Sequence, residues 1–382
     1  MRPSLFVAVI GLGVVAGMVC LGLRPVHAGE QPSASGYKVL EPIRHGSLTV
    51  FPVVASKSYA TSEFLTLDEG LRSGEVVVTE YGNVRGLVRR GLTPAVRREN
   101  AEVNRLVLIN NSKRPLLLLA GEIVTGGKQD RVIGKDRIVP AESDPVDLSV
   151  FCVEPGRWVA TSEQFGTSGA TYGGAISGRA PVPSTLMAQP SVRAKAMGDK
   201  DQSQVWAEVR KQQQAMVTVE AAAVAPPAST GEIQSTSSYA AVMENKDVKE
   251  KVDEIAAPIE HNYESLIKQL RDRKAVGVVV AVNGRIIWAD VFASTELLEK
   301  YWPKLVRSYA SEAVVTRAKG GEASLAQAEA FLGDMEGRRE TIESEPGVYR
   351  HTEVNGDGFK AFVLASLLPK TGFDVHVAKI AE

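Results

Sequence analysis

The chain has 382 residues, 44 Lys+Arg against 45 Asp+Glu, a hydrophobic fraction of 44% and two cysteines. That much apolar side chain excludes a fully disordered protein, and a formal net charge of −1 excludes broad nucleic-acid or anionic-membrane binding, which needs a basic surplus. Cys20 and Cys152 are too few for a disulfide framework or a cysteine-ligated zinc site, so a hydrophobic core has to hold the fold.

The N-terminus reads as a targeting signal. Residues Leu5 to Leu23 carry no charge, Arg2 precedes them and Arg24 follows. Val26-His27-Ala28 meets the small-residue rule for cleavage, which makes residues 1–28 a signal peptide and Gly29 the first mature residue. The apolar run is also long enough to span a bilayer, so the alternative is an uncleaved anchor that meets the membrane only through residues 5–23. Either reading places the body of the protein outside the cytoplasm, periplasmic or secreted. Residues 29–36 are a flexible leader.

Residues 37–160 form a strand-rich half. Apolar runs at 48–54, 76–78, 106–109 and 116–119 are separated by the turn formers Ser73-Gly74, Gly82-Asn83 and Asn110-Asn111-Ser112. One short helix is expected after Thr66. Thr66 with Glu69 makes a capping box, Leu67 and Leu71 share a face, and Ser73-Gly74 ends it.

Residues 161–245 read as a loop, one helix and a linker. The stretch 161–190 is rich in Gly, Ser, Thr and Pro without periodicity, the composition of a binding loop or of disorder. Helical spacing returns over 201–217, and 220–240 reads as linker. Residues 246–382 combine helices, a hairpin and C-terminal strands, and are expected to form one compact unit with 37–160. Val248, Val252, Ile255, Ile259, Leu266 and Leu270 make a helical stripe in which Pro258 predicts a kink or a division. Asn283-Gly284 between two β-rich runs predicts a two-residue hairpin. A second amphipathic helix over 294–315 is expected to be interrupted at Pro303, with Leu298, Tyr301, Trp302 and Leu305 as core. Residues 319–340 read as charged and partly helical, and strands at 359–367 and 373–380 close the chain. The fold class is α+β, with strands leading, helices in the middle and later part, and further antiparallel strands at the C-terminus.

The densest chemical constellation is Gly121 to Arg131, where polar residues follow a buried apolar run. Gly126-Gly127 lets the backbone turn tightly and aim amides at a ligand. Lys128 and Arg131 can face an anion, and Gln129 both donates and accepts. A Walker A loop is excluded, because Glu122 and Gln129 stand where that spacing needs Gly and Ser or Thr. The same residues equally make a Gly-Gly turn with a solvated charged face.

The second cluster runs from Phe151 to Trp158. Cys152 between Phe and Val is most simply a small buried hydrophobe; the sharper alternative is a nucleophile served by His45, His261, His351 or His376. Arg157-Trp158 suits either ligand stacking or a packed Trp under an Arg. Glu122 and Glu154 are candidates for a carboxylate pair in acid–base work if the fold brings them together. The scattered histidines show no metal-binding spacing, so no metal site is expected.

These clusters carry a resemblance. Phe64 to Glu69 ahead of Val78-Thr79-Glu80, Gly121-Glu122, Gly127 to Arg131, Cys152-Val153-Glu154 with Gly156-Arg157-Trp158, and Trp302 to Leu305 with Ser308-Tyr309 resemble, in order, a domain family of unknown biochemical activity. It is the ARG and rhodanese-phosphatase-superfamily-associated protein domain, in which ARG denotes ADP-ribosylglycohydrolase. Asp130 stands where the pattern commonly has Asn, Gly127 where Ala is common, and Pro155 where a polar residue such as Gln is common. The resemblance implies association with domains that handle ADP-ribose and phosphate and assigns no catalytic residue.

The expectation is therefore an exported binding module. Gly126, Gly127, Lys128, Gln129, Arg131, Arg157 and Trp158 would hold a small anionic or nucleotide-like ligand, with Glu122 ordering the loop. One alternative is a hydrolase acting on an ADP-ribose-type or phosphate-bearing substrate, with Glu122, Glu154 or Cys152 as catalytic candidates. Another is an envelope protein that captures protein partners through 161–245.

Overall fold

A computed structural model describes residues 36–80, 104–162, 164–166, 186–221, 229–270, 273–316, 320–369 and 371–382. The signal or anchor over 1–28, the leader up to residue 35 and most of the Gly/Ser-rich loop lie outside the described residues. No helix among the described residues is long and apolar enough to cross a membrane.

The chain opens with β1 (Tyr37–Val39), β2 (Ile43–His45), β3 (Leu48–Ala55) and the short β4 (Leu65–Thr66). Helix α1 (Leu67–Ser73) follows with the expected capping box: the Thr66 hydroxyl accepts from the Glu69 amide and the Glu69 carboxylate accepts from the Thr66 amide. Gly74 closes it in the left-handed region at φ 74°. Next come β5 (Val76–Glu80), β6 (Arg105–Asn110), β7 (Leu116–Leu118), β8 (Glu122–Gly126), β9 (Arg131–Ile133), β10 (Arg137–Val139), β11 (Val146–Cys152), β12 (Gln164–Gly166) and β13 (Leu186–Met187). The middle is helical: α2 (Pro190–Ala194) with a π-helical turn at Lys195–Asp199, then α3 (Gln202–Ala221), α4 (Ser229–Ser235), α5 (Tyr239–Glu244) and α6 (Lys246–Gln269). The last part runs β14 (Lys274–Val282), β15 (Arg285–Phe292), α7 (Thr295–Val315), α8 (Leu325–Gly333), β16 (Arg338–Glu345), β17 (Tyr349–Gly356), β18 (Phe359–Ser366) and β19 (Asp374–Ala381).

The two ends of the chain share one antiparallel sheet. Asn283 and Gly284 take φ of 50° and 77°, the pair of left-handed residues that a two-residue turn needs, and β14 and β15 pair across them. β14 continues to β3, whose far edge carries β1 and β2, while β15 continues through β19, β18 and β17 to the edge strand β16. The sequence of β16 (RRETIESE) is mostly exposed, and its charges protect an open sheet edge.

A second sheet closes on itself. The order β12-β5-β6-β11-β9-β8 returns to its start through the β12–β8 pairing, so six antiparallel strands make a small barrel. Alternate residues face inward, which follows from the period of two: Val76 and Val78, Leu106 and Leu108, Leu148 and Val150, with Ile133, Val124 and Phe165. Their outward neighbours Ile123, Val132, Phe151 and Val153 join the main core with residues of the helices.

Neither proline ends its helix. α6 and α7 run through Pro258 and Pro303 as continuous elements. A mid-helix proline costs about 3 kcal/mol. Against this, α6 buries Val248, Val252, Ala256, Ile259 and Tyr263, and Tyr263 packs on Trp302 of α7 with ring centroids 4.3 Å apart. A buried Leu or Phe-sized side chain contributes about 1.5–3 kcal/mol, so the shared face outweighs the break. The composition-based linker also differs, because 229–244 contains two short helices, with Tyr239 and Val242 fully buried in the core. The segment 186–221 is built into the same core through Met187, Val192, Val205 and Val209.

Barrel, sheet and helices meet at a buried charge network. Arg193 of α2 binds both oxygens of Asp290 on β15, at 2.9 and 3.1 Å, and stacks over Trp288. His376 of β19 bonds Asp136 of the β9–β10 loop through Nδ1 at 2.6 Å and Asp290 through Nε2 at 3.1 Å. The Tyr309 hydroxyl of α7 also donates to Asp290, and Asp136 accepts from the Ala120 amide at 2.7 Å. Burial alone would lower the His376 pKa, but the charge of Asp136 and the hydrogen bonds to both carboxylates raise it to about 9. Burial opposes ionisation of Asp290, and Arg193 and His376 override it, holding the carboxyl well below its usual range.

Breaking a buried pair by removing one partner costs about 3–5 kcal/mol, so Asp290→Asn should lower the unfolding free energy by that order in urea titration. Because His376 carries its proton more tightly when folded, its contribution to stability is complete below pH 6.5 and is lost as pH rises through about 9. A pH series of thermal melts checks this; His376→Gln should lose the alkaline slope.

Candidate functional site

The inward-facing rows of the barrel change character at one end. Continuing the alternation, Glu80 follows Val76 and Val78 on β5, Arg131 precedes Ile133 on β9, and Cys152 follows Leu148 and Val150 on β11. Arg131 is register partner to Cys152 on one side and to Val124 on the other. The apolar interior thus ends in a layer of polar side chains.

The Gly126-Gly127 turn covers that layer. Both residues have positive φ, 118° and 51°, and a Cβ on Gly127 would come within 2.2 Å of the Phe165 ring and 2.7 Å of Glu80 Oε1. Only glycine lets the backbone pass so close. The Lys128 amide then donates to Glu80 Oε1 at 2.7 Å, and Gln129 Nε2 donates to the Glu154 carbonyl at 3.1 Å.

Arg131 is fully buried. Its Nη1 makes one long bond, 3.4 Å, to the Asp130 carbonyl, while Nε and Nη2 have no partner among the described residues. Glu80 Oε2 and Gln129 Oε1 are likewise buried without a partner among those residues. Burial pulls the Arg131 pKa down, with Cys152, Glu80 and Asp130 opposing the shift. At the rim Trp158 is 43% exposed, with Lys128 Nζ 5.0 Å and the Arg131 guanidinium 6.0 Å from its ring centroid.

Arg157 ties the two sequence clusters together. Its Nε and Nη2 donate to the two oxygens of Glu154, each at 2.6 Å, and its Nη1 donates to the carbonyls of Gly127 at 3.0 Å and Val159 at 2.7 Å. Glu154 also accepts from the Asp130 amide at 3.0 Å. Asp130 accepts from the Gly126 amide at 3.1 Å and from the Ser238 hydroxyl, the N-cap of α5, at 2.7 Å. Burial and the neighbouring Glu154 push the Asp130 carboxyl up to about 6, although Arg157 lies 3.6 Å away.

The remaining candidates sit in other networks. Glu122 and Glu154 do not form a pair. Glu122 accepts from Lys304 of α7 and from the Leu119 amide, and Lys304 also reaches Asp68 of α1 at 2.9 Å. The Glu122 pKa is raised by burial, which Lys304 only partly offsets. Burial pushes the Cys152 thiol up as well, and its sulfur accepts from the Glu154 amide at 3.3 Å. Among the described residues no histidine bonds it: His376 belongs to the Asp136–Asp290 network, and both ring nitrogens of His351 are unpartnered. No group of His, Cys, Asp or Glu among the described residues has the arrangement to hold a metal ion.

Sequence reasoning did not single out Glu80 as a site residue. Its signal was an acid at the end of the apolar row Val76–Val78, read there only as part of a resemblance. Arg157, expected among the ligand contacts, has its guanidinium on Glu154 and on the carbonyls of Gly127 and Val159.

Residues 36–379 match the family model of the ARG and Rhodanese-Phosphatase-superfamily-associated Protein domain. No curated protein and no solved structure is found to match the chain.

Asp130 generates a test of the electrostatics. Its folded pKa lies above the ordinary value of 3.8, so the charged form is a cost that appears as pH rises through about 6. Asp130→Asn keeps an oxygen for the Gly126 amide and turns the other position into a donor, which the Ser238 hydroxyl can accept; it should raise the unfolding free energy near neutral pH by about 1–3 kcal/mol. The gain should shrink as pH falls below about 6 and vanish below 3.8, where the wild-type carboxyl is protonated in both states. Denaturant melts at several pH values decide it; a destabilised variant at neutral pH would mean that the Arg157 contact outweighs burial.

Proposed function

The chain belongs to the ARG and Rhodanese-Phosphatase-superfamily-associated Protein domain family, and we propose that its barrel end binds a small anionic or nucleotide-like ligand. The observation that carries this reading is Arg131, a fully buried guanidinium with Nε and Nη2 unpartnered among the described residues. Burying such a charge costs several kcal/mol, and each unmet donor adds about 1–3 kcal/mol. A site with that cost is an expected place for a ligand that meets the donors. Lys128 adds a second positive charge at the rim, Trp158 offers a half-open aromatic face, and Gln129 has an acceptor to spare.

Within this reading Arg157, Glu154 and Asp130 are positioning residues that hold the Gly126-Gly127 turn. Binding is favoured over hydrolysis because both carboxylates expected to serve as general bases are engaged, Glu122 by Lys304 and Glu154 by Arg157. We also propose export, resting on the uncharged run 5–23 and the Val26-His27-Ala28 site.

Thermal shift of the full-length chain against inorganic phosphate, nucleotides and ADP-ribose tests the site. A ligand at a hundred times its dissociation constant stabilises by about 2.7 kcal/mol. Arg131→Leu removes two unmet buried donors together with the positive charge that faces Glu80, so the ligand-free variant should melt close to the wild-type temperature while losing the ligand-induced shift. A variant that melts well below the wild type without ligand would instead assign Arg131 to the framework.

A further inference from the structure

The unmet atoms at the barrel end are of both kinds. Arg131 Nε and Nη2 need acceptors, while Glu80 Oε2 and Gln129 Oε1 need donors. Nη2 lies trans to Cδ in a guanidinium, so it shares an edge with Nε–H, and the two N–H groups point in parallel toward a pair of adjacent oxygens. A phosphate or carboxylate supplies two such oxygens. It supplies no donor for Glu80 and Gln129, and its charge would sit against the Glu80 carboxylate. The immediate surroundings give no surplus to offset that repulsion, because Lys128, Arg131 and Arg157 are balanced by Glu80, Asp130 and Glu154.

A hydroxyl group accepts and donates at once. Two neighbouring hydroxyls on a sugar ring can each accept from the Arg131 edge and donate onward, one to Glu80 and one to Gln129. Acidic side chains take ribose hydroxyls in this way in dinucleotide sites. The apolar face of the same ring would lie on Trp158, exposed by 43% at the rim.

We infer that the group bound against Arg131, Glu80 and Gln129 is a vicinal diol of a sugar ring, with any phosphate lying outward toward Lys128. This rests on the binding site proposed above and names the part of the ligand that enters it. The diol belongs to a nucleotide ribose or, against the anionic and nucleotide-like part of that reading, to a free hexose, and the two sources are separable.

Titration calorimetry of the full-length chain is the test. The probes are adenosine 5′-monophosphate and its 2′-deoxy form, methyl mannoside and its 2-deoxy form, and inorganic phosphate. A diol-bearing probe should bind, with its deoxy partner weaker by about tenfold or more, since the missing hydroxyl leaves buried groups unpaired. Preference for the nucleotide or the mannoside identifies the source. Glu80→Gln keeps an oxygen for the Lys128 amide but turns the second position into a donor. It should weaken the diol probe by about tenfold or more, while phosphate binding stays level or tightens. Equal binding of diol and deoxy probes, or phosphate binding alone, overturns the diol and leaves the Arg131 site standing. No heat with any probe, together with no thermal shift in the wider panel, overturns both.

Discussion

Asp290 receives Arg193, His376 and Tyr309 in the buried interior, and His376 passes the connection on to Asp136. The participants come from α2, β15, β19, α7 and the loop after β9, so one network fastens the barrel to the large sheet and to the helices. Its charges balance, which is the condition under which such groups are tolerated without water. Hydrophobic contact between Ile123, Val132 and the helices supplies area but little direction. The charged joint supplies direction, because its partners are met in only one arrangement. A similar but smaller joint, Lys304 with Glu122 and Asp68, fixes α7 to β8 and α1.

The barrel end contains the same residue types in the opposite condition. Arg193 has its donors matched, whereas Arg131 has a whole edge unmatched among the described residues. Burial is complete for both, so exposure does not distinguish framework from candidate site. Satisfaction does. The clamp of Arg157 on Glu154 and on the carbonyls around Gly127 shows how the two conditions cooperate: paired charges hold the turn that covers the unpaired ones. The raised Asp130 carboxyl is the energetic cost of burying it beside Glu154, which the Ser238 hydroxyl of α5 only partly relieves.

Features governed by neighbours in sequence were legible in advance. The Thr66–Glu69 capping box, the Asn283-Gly284 turn and the core placement of Tyr301 and Trp302 each depend on residues a few positions apart. A division at Pro258 and an interruption at Pro303 do not occur, because the faces that outweigh the prolines come from different helices. Residues 338–345 carry a run of charge that suits a solvated helix as well as a sheet edge, and only pairing with β17 makes them a strand. Closure of the barrel was not legible at all, since it turns on the short strand β12 pairing with both β5 and β8.

For the candidate site, the amino-acid sequence by itself marked two segments, Gly121–Arg131 and Cys152–Trp158, because tight glycines beside mixed charges after an apolar run are a local pattern. It also determined which backbone turns need glycine and which rows are apolar. The tertiary structure alone decided what each charge does. Strand register set Arg131 and Glu80 into the barrel, turned Arg157 back onto Glu154, and sent Glu122 to Lys304. The physical reason is that a charge takes its role from the partners within a few ångströms, and those partners come from strands and helices far apart in the chain.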